Sequence, residues 1–148
     1  MTLNEFMKKS SVLEPQNYEK QIKVALLSSF TLKGLLETIS VKCSNLNIGC
    51  NKFEGGYNQY SQEILDLDSN YHKFKADLTF LAIDTRTLLG ELFFSPYEIS
   101  DEERRIFIEK KVNEINNLIH TCQLHSNSKI IIFNCKVPIY SPYGINEK

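Results

Sequence analysis

The stretch VALLSSFT, residues 24–31, decides the fold of this chain. Its apolar first half is typical of a strand that is buried on both faces, and the apolar run stops at Ser28 and Ser29. Apolar residues then recur at three- and four-residue steps over residues 32–45, which predicts an amphipathic helix. A buried strand that leads directly into a helix indicates a parallel α/β sheet.

The same alternation of strand and helix continues along the chain. Further strands are predicted at residues 48–53, 78–83 and 129–134, and helices at residues 60–65 and from Ser100 to residues 124–127. Ser100 and Glu103 form a capping box at the start of the last helix, whereas residues 85–99 are predicted to be irregular. The order predicts a three-layer α/β/α fold with at least four parallel strands, right-handed crossovers and helices on both faces.

Composition limits the classes of protein to consider. The chain has 148 residues and is 42% hydrophobic, which is enough for one domain with a core. Its net charge of −1 argues against a nucleic-acid-binding surface. No apolar run approaches the ~20 residues of a membrane span, and the N-terminus lacks the apolar centre of a secretory signal. We therefore expect a cytoplasmic protein without membrane or nucleic-acid partners.

Residues 1–20 form a polar segment with one short helix, interrupted by Pro15, and we interpret them as a lead-in or linker. Residues 21–148 form the single α/β domain, expected to be the N-terminal part of a larger protein. The chain contains no C-x-x-C pair and no cysteine with a histidine at zinc spacing. We therefore expect no metal site and interpret the four cysteines as small buried thiols, at positions Cys43, Cys50, Cys122 and Cys135.

Polar residues follow the predicted strands at their carboxyl ends, where open parallel sheets bind ligands. The candidate ligand-binding residues are Ser28, Thr31, Gly55, Gly56, Asn58, Gln59, Asp84 and Asn134. Ser29 is the candidate nucleophile, because a hydroxyl beside a helix N-terminus meets N–H groups that suit an oxyanion. The alternative interpretation is that Ser28, Ser29 and Thr31 cap a helix, and that Asn58 and Asp84 do the same further along.

If the sheet is parallel, Ser29, Gly56, Asn58, Asp84 and Asn134 line one crevice. Gln21, Asp77 and Lys129 then lie at the opposite rim. A competing possibility is that Tyr57, Tyr60 or residues 138–143 fill the crevice, which would favour a structural role.

Two short motifs resemble catalytic blocks of known enzymes. The segment LSSFT resembles the nucleophile block of the SGNH hydrolases at Ser29 and Thr31, but the chain has no D-x-x-H pair near its C-terminus. The segment FLAIDTRTLLG resembles the aspartate block of haloacid-dehalogenase phosphatases, with Asp84 as the possible nucleophile. Arg86 stands where that motif has its second carboxylate. Both catalytic sets are incomplete in this chain.

Three segments together resemble the N-terminal domain of FkbH-like proteins: VALLSSFTL, GGYNQYSQEILD and LTFLAID. The resemblance spans residues 21–144, and its most specific part is GYNQYSQEILDLD, which begins at Gly56. It implies an SGNH-like domain joined to a haloacid-dehalogenase-type domain that transfers a glyceryl or lactyl unit from a phosphorylated precursor to an acyl carrier protein in polyketide biosynthesis. The nucleophilic aspartate and its Mg²⁺ then lie downstream, with no cofactor in this chain.

Two other functions remain open. The chain could be a stand-alone serine esterase or acyltransferase that uses Ser29 with an unusual base. It could also be a non-catalytic interaction domain with a flavodoxin-like shape. We expect no flavin, because the loop SSFT lacks the Ser/Thr run that cradles a flavin phosphate.

Overall fold

The computed structural model describes residues 1–13 and 18–136. The strands in this part are β1 (Lys20–Ser28), β2 (Ile48–Glu54), β3 (Leu78–Ala82) and β4 (Lys129–Ile132). The helices are α1 (Leu3–Ser11), α2 (Leu35–Ser44), α3 (Tyr60–Leu65), α4 (Asn70–Phe74), α5 (Thr85–Leu89), a 3₁₀ helix (Gly90–Phe93) and α6 (Asp101–His125).

The strands form one sheet in the order β2-β1-β3-β4, and every neighbouring pair is parallel. Val24 of β1 lies opposite Leu78 of β3, which in turn lies opposite Lys129 of β4. The central position of β1 explains its apolar sequence, because its residues from Val24 to Leu27 are fully or almost fully buried. The predicted parallel α/β sheet of four strands is confirmed.

Helices cover both faces of the sheet, as predicted for a three-layer fold. On one face, Ala25, Leu27 and Leu81 pack in a core with side chains of α3, α4 and α6. On the other face, Val24 and Leu26 pack against Leu36 of α2. Each fully buried aliphatic side chain contributes about 1.5–3 kcal/mol, so these two apolar layers supply the main driving force for folding.

Helix α1 packs against α2. The Leu3 side chain lies over Gly34, and the Lys9 ammonium donates to the Asn45 side-chain carbonyl at 3.2 Å. The Lys52 ammonium on β2 also reaches the Ser10 hydroxyl at 3.1 Å. The first helix of the predicted lead-in therefore contacts the α/β domain directly. Pro15 lies outside the described residues.

Two local predictions were wrong. Helix α2 begins at Leu35 rather than at residue 32, because Gly34 adopts a left-handed conformation (φ 90°) just before it. Residues 85–99 are not wholly irregular, since they contain α5 and the 3₁₀ helix. Gly90 has φ 58° and ends α5 instead of disrupting the whole segment.

Helix α6 has the predicted capping box. The Ser100 N–H donates to the Glu103 carboxylate at 2.8 Å, and the Glu103 N–H donates to the Ser100 hydroxyl. The hydrogen bond from the Ser100 backbone lowers the pKa of Glu103. This reciprocal pair fixes the start of the helix next to three acidic residues of its first turn.

Only the second half of α6 is buried. Leu118 and Cys122 are buried, whereas Ile108 and Val112, predicted on the same buried face, are 49% and 50% exposed. The helix has 25 residues, a length of about 37 Å, follows the 3₁₀ helix and leads to the start of β4. Because β3 has only five residues, the first half of α6 projects beyond the sheet.

The predicted burial of the cysteines was only partly right. Cys122 is buried, Cys43 and Cys50 are half-buried, and Cys135 is exposed. Among the described helices, none is long and apolar enough to cross a membrane.

Candidate functional site at the carboxyl edge of the sheet

Ser29 joins the end of β1 to the end of β3. Its hydroxyl accepts a hydrogen bond from the Asp84 N–H at 2.7 Å, and its own N–H donates to the Ala82 carbonyl at 2.9 Å. Ser29 is only 2% exposed. The predicted proximity of Ser29 and Asp84 is therefore confirmed, and the contact between them is a direct hydrogen bond.

Ser28 shapes the turn that follows β1. Its hydroxyl donates to the Phe30 carbonyl and accepts from the Phe30 N–H at 3.1 Å. Thr31 is exposed at the outer side of this turn. The hydroxyls do not cap α2, because its N-cap residue is Gly34 and has no side-chain cap. For the same reason Ser29 does not meet a helix N-terminus as expected, since α2 begins six residues later.

The glycine pair after β2 lets the chain approach the end of β1 closely. The Gly55 N–H donates to the Leu26 carbonyl at 2.9 Å, and a Cβ atom at Gly55 would lie 2.8 Å from a methyl of Leu27. A side chain at Gly56 would collide with the amide oxygen of Gln59. A side chain at Gly55 would press on the buried Leu27, whereas at Gly56 the exposed Gln59 side chain could move aside, so the close approach favours glycine mainly at Gly55.

Asn58 completes the loop in a left-handed conformation with φ 55°. Its N–H donates to the Ser28 carbonyl at 3.1 Å, which joins the β2–α3 loop to the end of β1. The side chains of Asn58 and Gln59 are exposed, so their amide groups face solvent beside the ends of the strands. Such amides both donate and accept hydrogen bonds.

Asp84 and Arg86 form a partly exposed ion pair at the end of β3. The Asp84 carboxylate lies 3.6 Å from the Arg86 guanidinium, which also lies over the ring of Phe93 at 5.8 Å. Asp84 is the N-cap residue of α5 but makes no side-chain cap. The position of the second phosphatase carboxylate therefore carries a positive charge beside Asp84 instead of a second acid.

Asn134 is exposed just beyond β4. The ladder between β3 and β4 continues to this point, because the Phe133 N–H donates to the Leu81 carbonyl at 3.0 Å. Next to it, the Thr85 hydroxyl donates to the Lys136 carbonyl at 2.8 Å. The chain that leaves β4 is thus fixed against the start of α5.

The structure brings the candidate residues to one edge. Hydrogen bonds link the loops after β1, β2 and β3, and Asn134 follows the fourth strand at the same edge. At the opposite rim, the Lys129 N–H donates to the Asp77 carbonyl at 2.9 Å, and Gln21 lies near the start of β1. Tyr57, a candidate to fill the crevice, is 74% exposed, and Tyr60 packs into the core below. Residues 138–143 lie outside the described residues.

In the described residues, which include all three histidines, no imidazole lies near Ser29. His72 and His125 contact each other at the amino edge, where they line a cavity with Asp77. His120 belongs to the last turns of α6, which ends at that same edge. A serine needs an adjacent base to become a strong nucleophile. In the described part of the chain, also, no three His, Cys, Asp or Glu side chains are placed to hold a metal ion.

Sequence analysis missed the cavity at the amino edge. It has a volume of about 450 Å³ and is lined by Tyr71, His72, Lys75, Ala76, Asp77, His125, Ser126 and Asn127. The His72 ring nitrogen lies 2.9 Å from the Ile64 carbonyl, and its ring lies 6.4 Å from that of His125. The available signal was positional, since His72 and His125 both precede a strand by a few residues.

Comparisons with known proteins bear on the whole fold. A family model described as the FkbH N-terminal domain matches residues 23–138. A solved structure matches 97% of this chain with a TM-score of 0.70 and 22% sequence identity, which shows a shared fold. It is the N-terminal part of protein BF1531 from Bacteroides fragilis, containing a phosphatase domain complexed with Mg. This chain spans 36% of that one. No curated protein matches it significantly.

Proposed function

The chain belongs to the family of FkbH N-terminal domains, and we propose that it is the N-terminal, SGNH-like domain of an FkbH-like enzyme. The enzyme removes the phosphate from a glyceryl or lactyl precursor and transfers the acyl unit to an acyl carrier protein in polyketide biosynthesis, in the cytoplasm. The observation that carries this proposal is the family match over residues 23–138.

The phosphatase chemistry resides in an adjoining haloacid-dehalogenase-type domain of the same polypeptide. The similar solved structure supports this assignment, because it contains a phosphatase domain with Mg and extends well beyond the region that matches this chain. A bound Mg²⁺ in such a site neutralises charge on the transferred phosphoryl group. The described residues of this chain offer no comparable metal-binding cluster.

The carboxyl edge binds the organic part of the substrate. Asn58, Gln59 and Asn134 present neutral donors and acceptors that suit the hydroxyl and carbonyl groups of a glyceryl unit. Ser28, Thr31, Gly55 and Gly56 form the turns that hold these groups, and the carboxylate of Asp84 is paired with Arg86. The site therefore favours an uncharged polyol fragment over a phosphate.

Ser29 has a positioning role in this proposal. Its hydroxyl is buried and accepts the Asp84 N–H, and the histidines of the chain lie at the other edge of the sheet. These contacts disfavour the stand-alone esterase. A fluorophosphonate probe distinguishes the two, because an adduct on Ser29 under conditions that label a control hydrolase would establish the esterase instead.

Two matched asparagines test the binding role. Asn58 and Asn47 have φ values of 55° and 58°, but Asn47 precedes β2 and so lies at the amino edge. Replacement of either by alanine introduces the same backbone strain. In the full-length protein, Asn58→Ala should lower transfer of the acyl unit to the carrier about tenfold, the equivalent of one hydrogen bond.

The measurement is mass spectrometry of the acylated carrier protein, with phosphate release recorded in parallel. Asn47→Ala should retain full transfer. Equal loss in both variants, or in neither, contradicts a ligand site at the carboxyl edge and supports a pure interaction domain.

A further inference from the structure

Two cysteines lie in the same layer between α2 and the sheet. Leu36 of α2 packs on Val24 and Leu26 of β1 in this layer. Cys43 follows Leu36 by about two helical turns, so it lies on the same, sheet-facing side of α2. Cys50 of β2 packs against the same apolar cluster from the side of the sheet. The two thiols therefore belong to facing elements of one layer.

The two cysteines also lie at the same height along the strands. Helix α2 runs from the carboxyl edge back to the amino edge, because it connects the parallel strands β1 and β2. Cys43 lies in the last turn of α2, and Cys50 lies near the start of β2. The connection between them turns tightly, with the Leu46 N–H donating to the Cys43 carbonyl at 2.9 Å. Both side chains are half-buried beside this turn.

The surroundings of Cys50 show that the two thiols are close neighbours. Burial raises the pKa of the Cys50 thiol, the adjoining Ser40 hydroxyl lowers it, and the Cys43 thiol raises it further. The Lys52 ammonium also lowers it. The Ser40 hydroxyl is 4% exposed and has no hydrogen-bond partner in the part of the chain that the structure describes. Its O–H group is therefore free to stabilise negative charge on the neighbouring sulfur.

The other two cysteines lie too far away to compete for either thiol. Cys122 belongs to the core on the opposite face of the sheet. Cys135 follows β4, and two strands separate β4 from β2. An internal bond at Cys43 or Cys50 can therefore form only within this pair among the described residues.

We propose that Cys43 and Cys50 form a reversible disulfide bond by exchange with a small disulfide of the glutathione type. One protein thiolate attacks the small disulfide, which gives a mixed disulfide and releases the first small thiol. The second protein thiolate then attacks the mixed disulfide and releases the second small thiol. The two cysteines are oxidised by two electrons, the small disulfide is reduced by two, and its two thiols take up the protons that the cysteines lose.

This inference does not depend on the proposed function. A reversible bond agrees with the half-buried position of both thiols, which leaves them open to exchange. Disulfides that occur in a reducing compartment are usually transient in the same way. The bond would tie the end of α2 to β2.

Mass spectrometry of the full-length protein, equilibrated in mixtures of reduced and oxidised glutathione, tests the pair. Free thiols are alkylated before digestion with trypsin, which cleaves after Lys42 and Lys52, so one peptide contains both cysteines. This peptide should carry no alkyl group, lack the two thiol hydrogens, and regain both thiols after reduction with dithiothreitol. The ratio of disulfide to dithiol should be at least about tenfold higher in the folded protein than in urea, because the fold holds the thiols together.

Cys43→Ser combined with Ser44→Cys is the matched control. It keeps the number of thiols and moves one of them by about 100° around α2, to a position whose side chain contacts the Tyr18 hydroxyl at 3.2 Å. This variant should show no preference for the disulfide in the folded state. In Cys50→Ser, glutathione should remain attached to Cys43, because the second thiolate is missing.

Three results would overturn the inference. The first is alkylation of both cysteines in the folded protein at every glutathione ratio. The second is a stable mixed disulfide at Cys43 or Cys50 in the unaltered protein. The third is an equal preference for the disulfide in the unaltered protein and in the variant with the shifted thiol.

Discussion

The two edges of the sheet use polar groups in different ways. At the amino edge, three hydroxyls form a chain of hydrogen bonds. The Thr79 oxygen lies 3.1 Å from the Tyr71 oxygen and 2.7 Å from the Ser128 oxygen. All three residues are at most 9% exposed. At the carboxyl edge, hydrogen bonds instead join side chains to the backbone of neighbouring loops, as from Asp84 to Ser29.

This difference supports the proposed ligand site at the carboxyl edge. The hydroxyl chain satisfies its own donors and acceptors inside the core, so it stabilises the fold but offers little to a ligand. At the carboxyl edge the backbone contacts fix the loops and leave the amides of Asn58, Gln59 and Asn134 exposed. Rigid loops with free side-chain groups are the usual arrangement of a binding site.

The largest expected effect concerns Tyr71 at the amino edge. Burial raises its pKa from 10.0 to about 12. The folded protein holds the phenol proton more tightly than the unfolded chain, so the contribution of Tyr71 to the free energy of unfolding is complete below pH 10. As the pH rises from 10 toward 12, this contribution falls by about 1.4 kcal/mol per pH unit. Urea unfolding at about pH 9 and pH 11 measures the loss. Tyr71→Phe should remove this part of the pH dependence, and an unchanged slope would contradict the burial of the Tyr71 phenol as its cause.

Ser29→Ala should give the next largest effect. It leaves the Asp84 N–H without its acceptor at a residue that is 2% exposed, which costs about 1–3 kcal/mol in the free energy of unfolding. The Asp84 amide should also exchange faster with solvent. Ser28→Ala is the control, because it removes only a local bond to Phe30. Equal stability of the Ser29 variant and the parent would show that the loops at the carboxyl edge are not held this way.

Thr79→Val tests the chain of hydroxyls with little change of shape. The variant deprives Ser128 of its partner while Tyr71 keeps its contact with the Cys122 sulfur at 3.7 Å. We expect a loss of about 1–2 kcal/mol in chemical denaturation. Thr79→Ser keeps the oxygen and should lose mainly the contribution of one methyl group, about 0.8 kcal/mol. A larger loss in the serine variant than in the valine variant would contradict the hydrogen-bond interpretation.

Arg86→Gln should have the smallest effect on stability. The ion pair with Asp84 is 3.6 Å long and both side chains are partly or largely exposed, so the free energy of unfolding should change by less than about 1 kcal/mol. Thermal unfolding at low and high salt measures it, and salt should reduce the difference. A substantial loss of stability that does not depend on salt would mean that this ion pair is as well shielded from solvent as the hydroxyl chain at the amino edge.

The sequence predicted those elements whose pattern is local. Helix α3 has the predicted bounds, and the capping box of α6 forms from Ser100 and Glu103 as expected. Helix α2 begins later than predicted. The apolar periodicity continues through Gly34, but this residue has a left-handed backbone, which an α-helix cannot contain. The proximity of Ser29 and Asp84 followed from the predicted parallel topology, whereas their direct hydrogen bond was not predicted.

Other features depend on contacts that no local pattern encodes. Ile108 and Val112 have the spacing of a buried face, yet burial depends on what lies opposite, and the sheet ends before it reaches them. The chain of hydroxyls joins Tyr71, Thr79 and Ser128 from three separate elements and loops, and each residue is ordinary in its own segment. The amino-edge cavity also depends on long-range contacts, because its lining comes from residues 71–77 and 125–127.

The bond from the Thr85 hydroxyl to the Lys136 carbonyl has a mechanical consequence. It fixes the chain at Lys136, at the carboxyl edge of the sheet, so a linker to the proposed phosphatase-type domain is counted from this residue and not from the end of β4. For a flexible tether that is long enough to span its two sites, a shorter length raises the local concentration of whatever it carries. Under the proposed function, loss of the Thr85 hydroxyl would lengthen this linker and lower the local concentration of the phosphatase-type domain at the carboxyl edge.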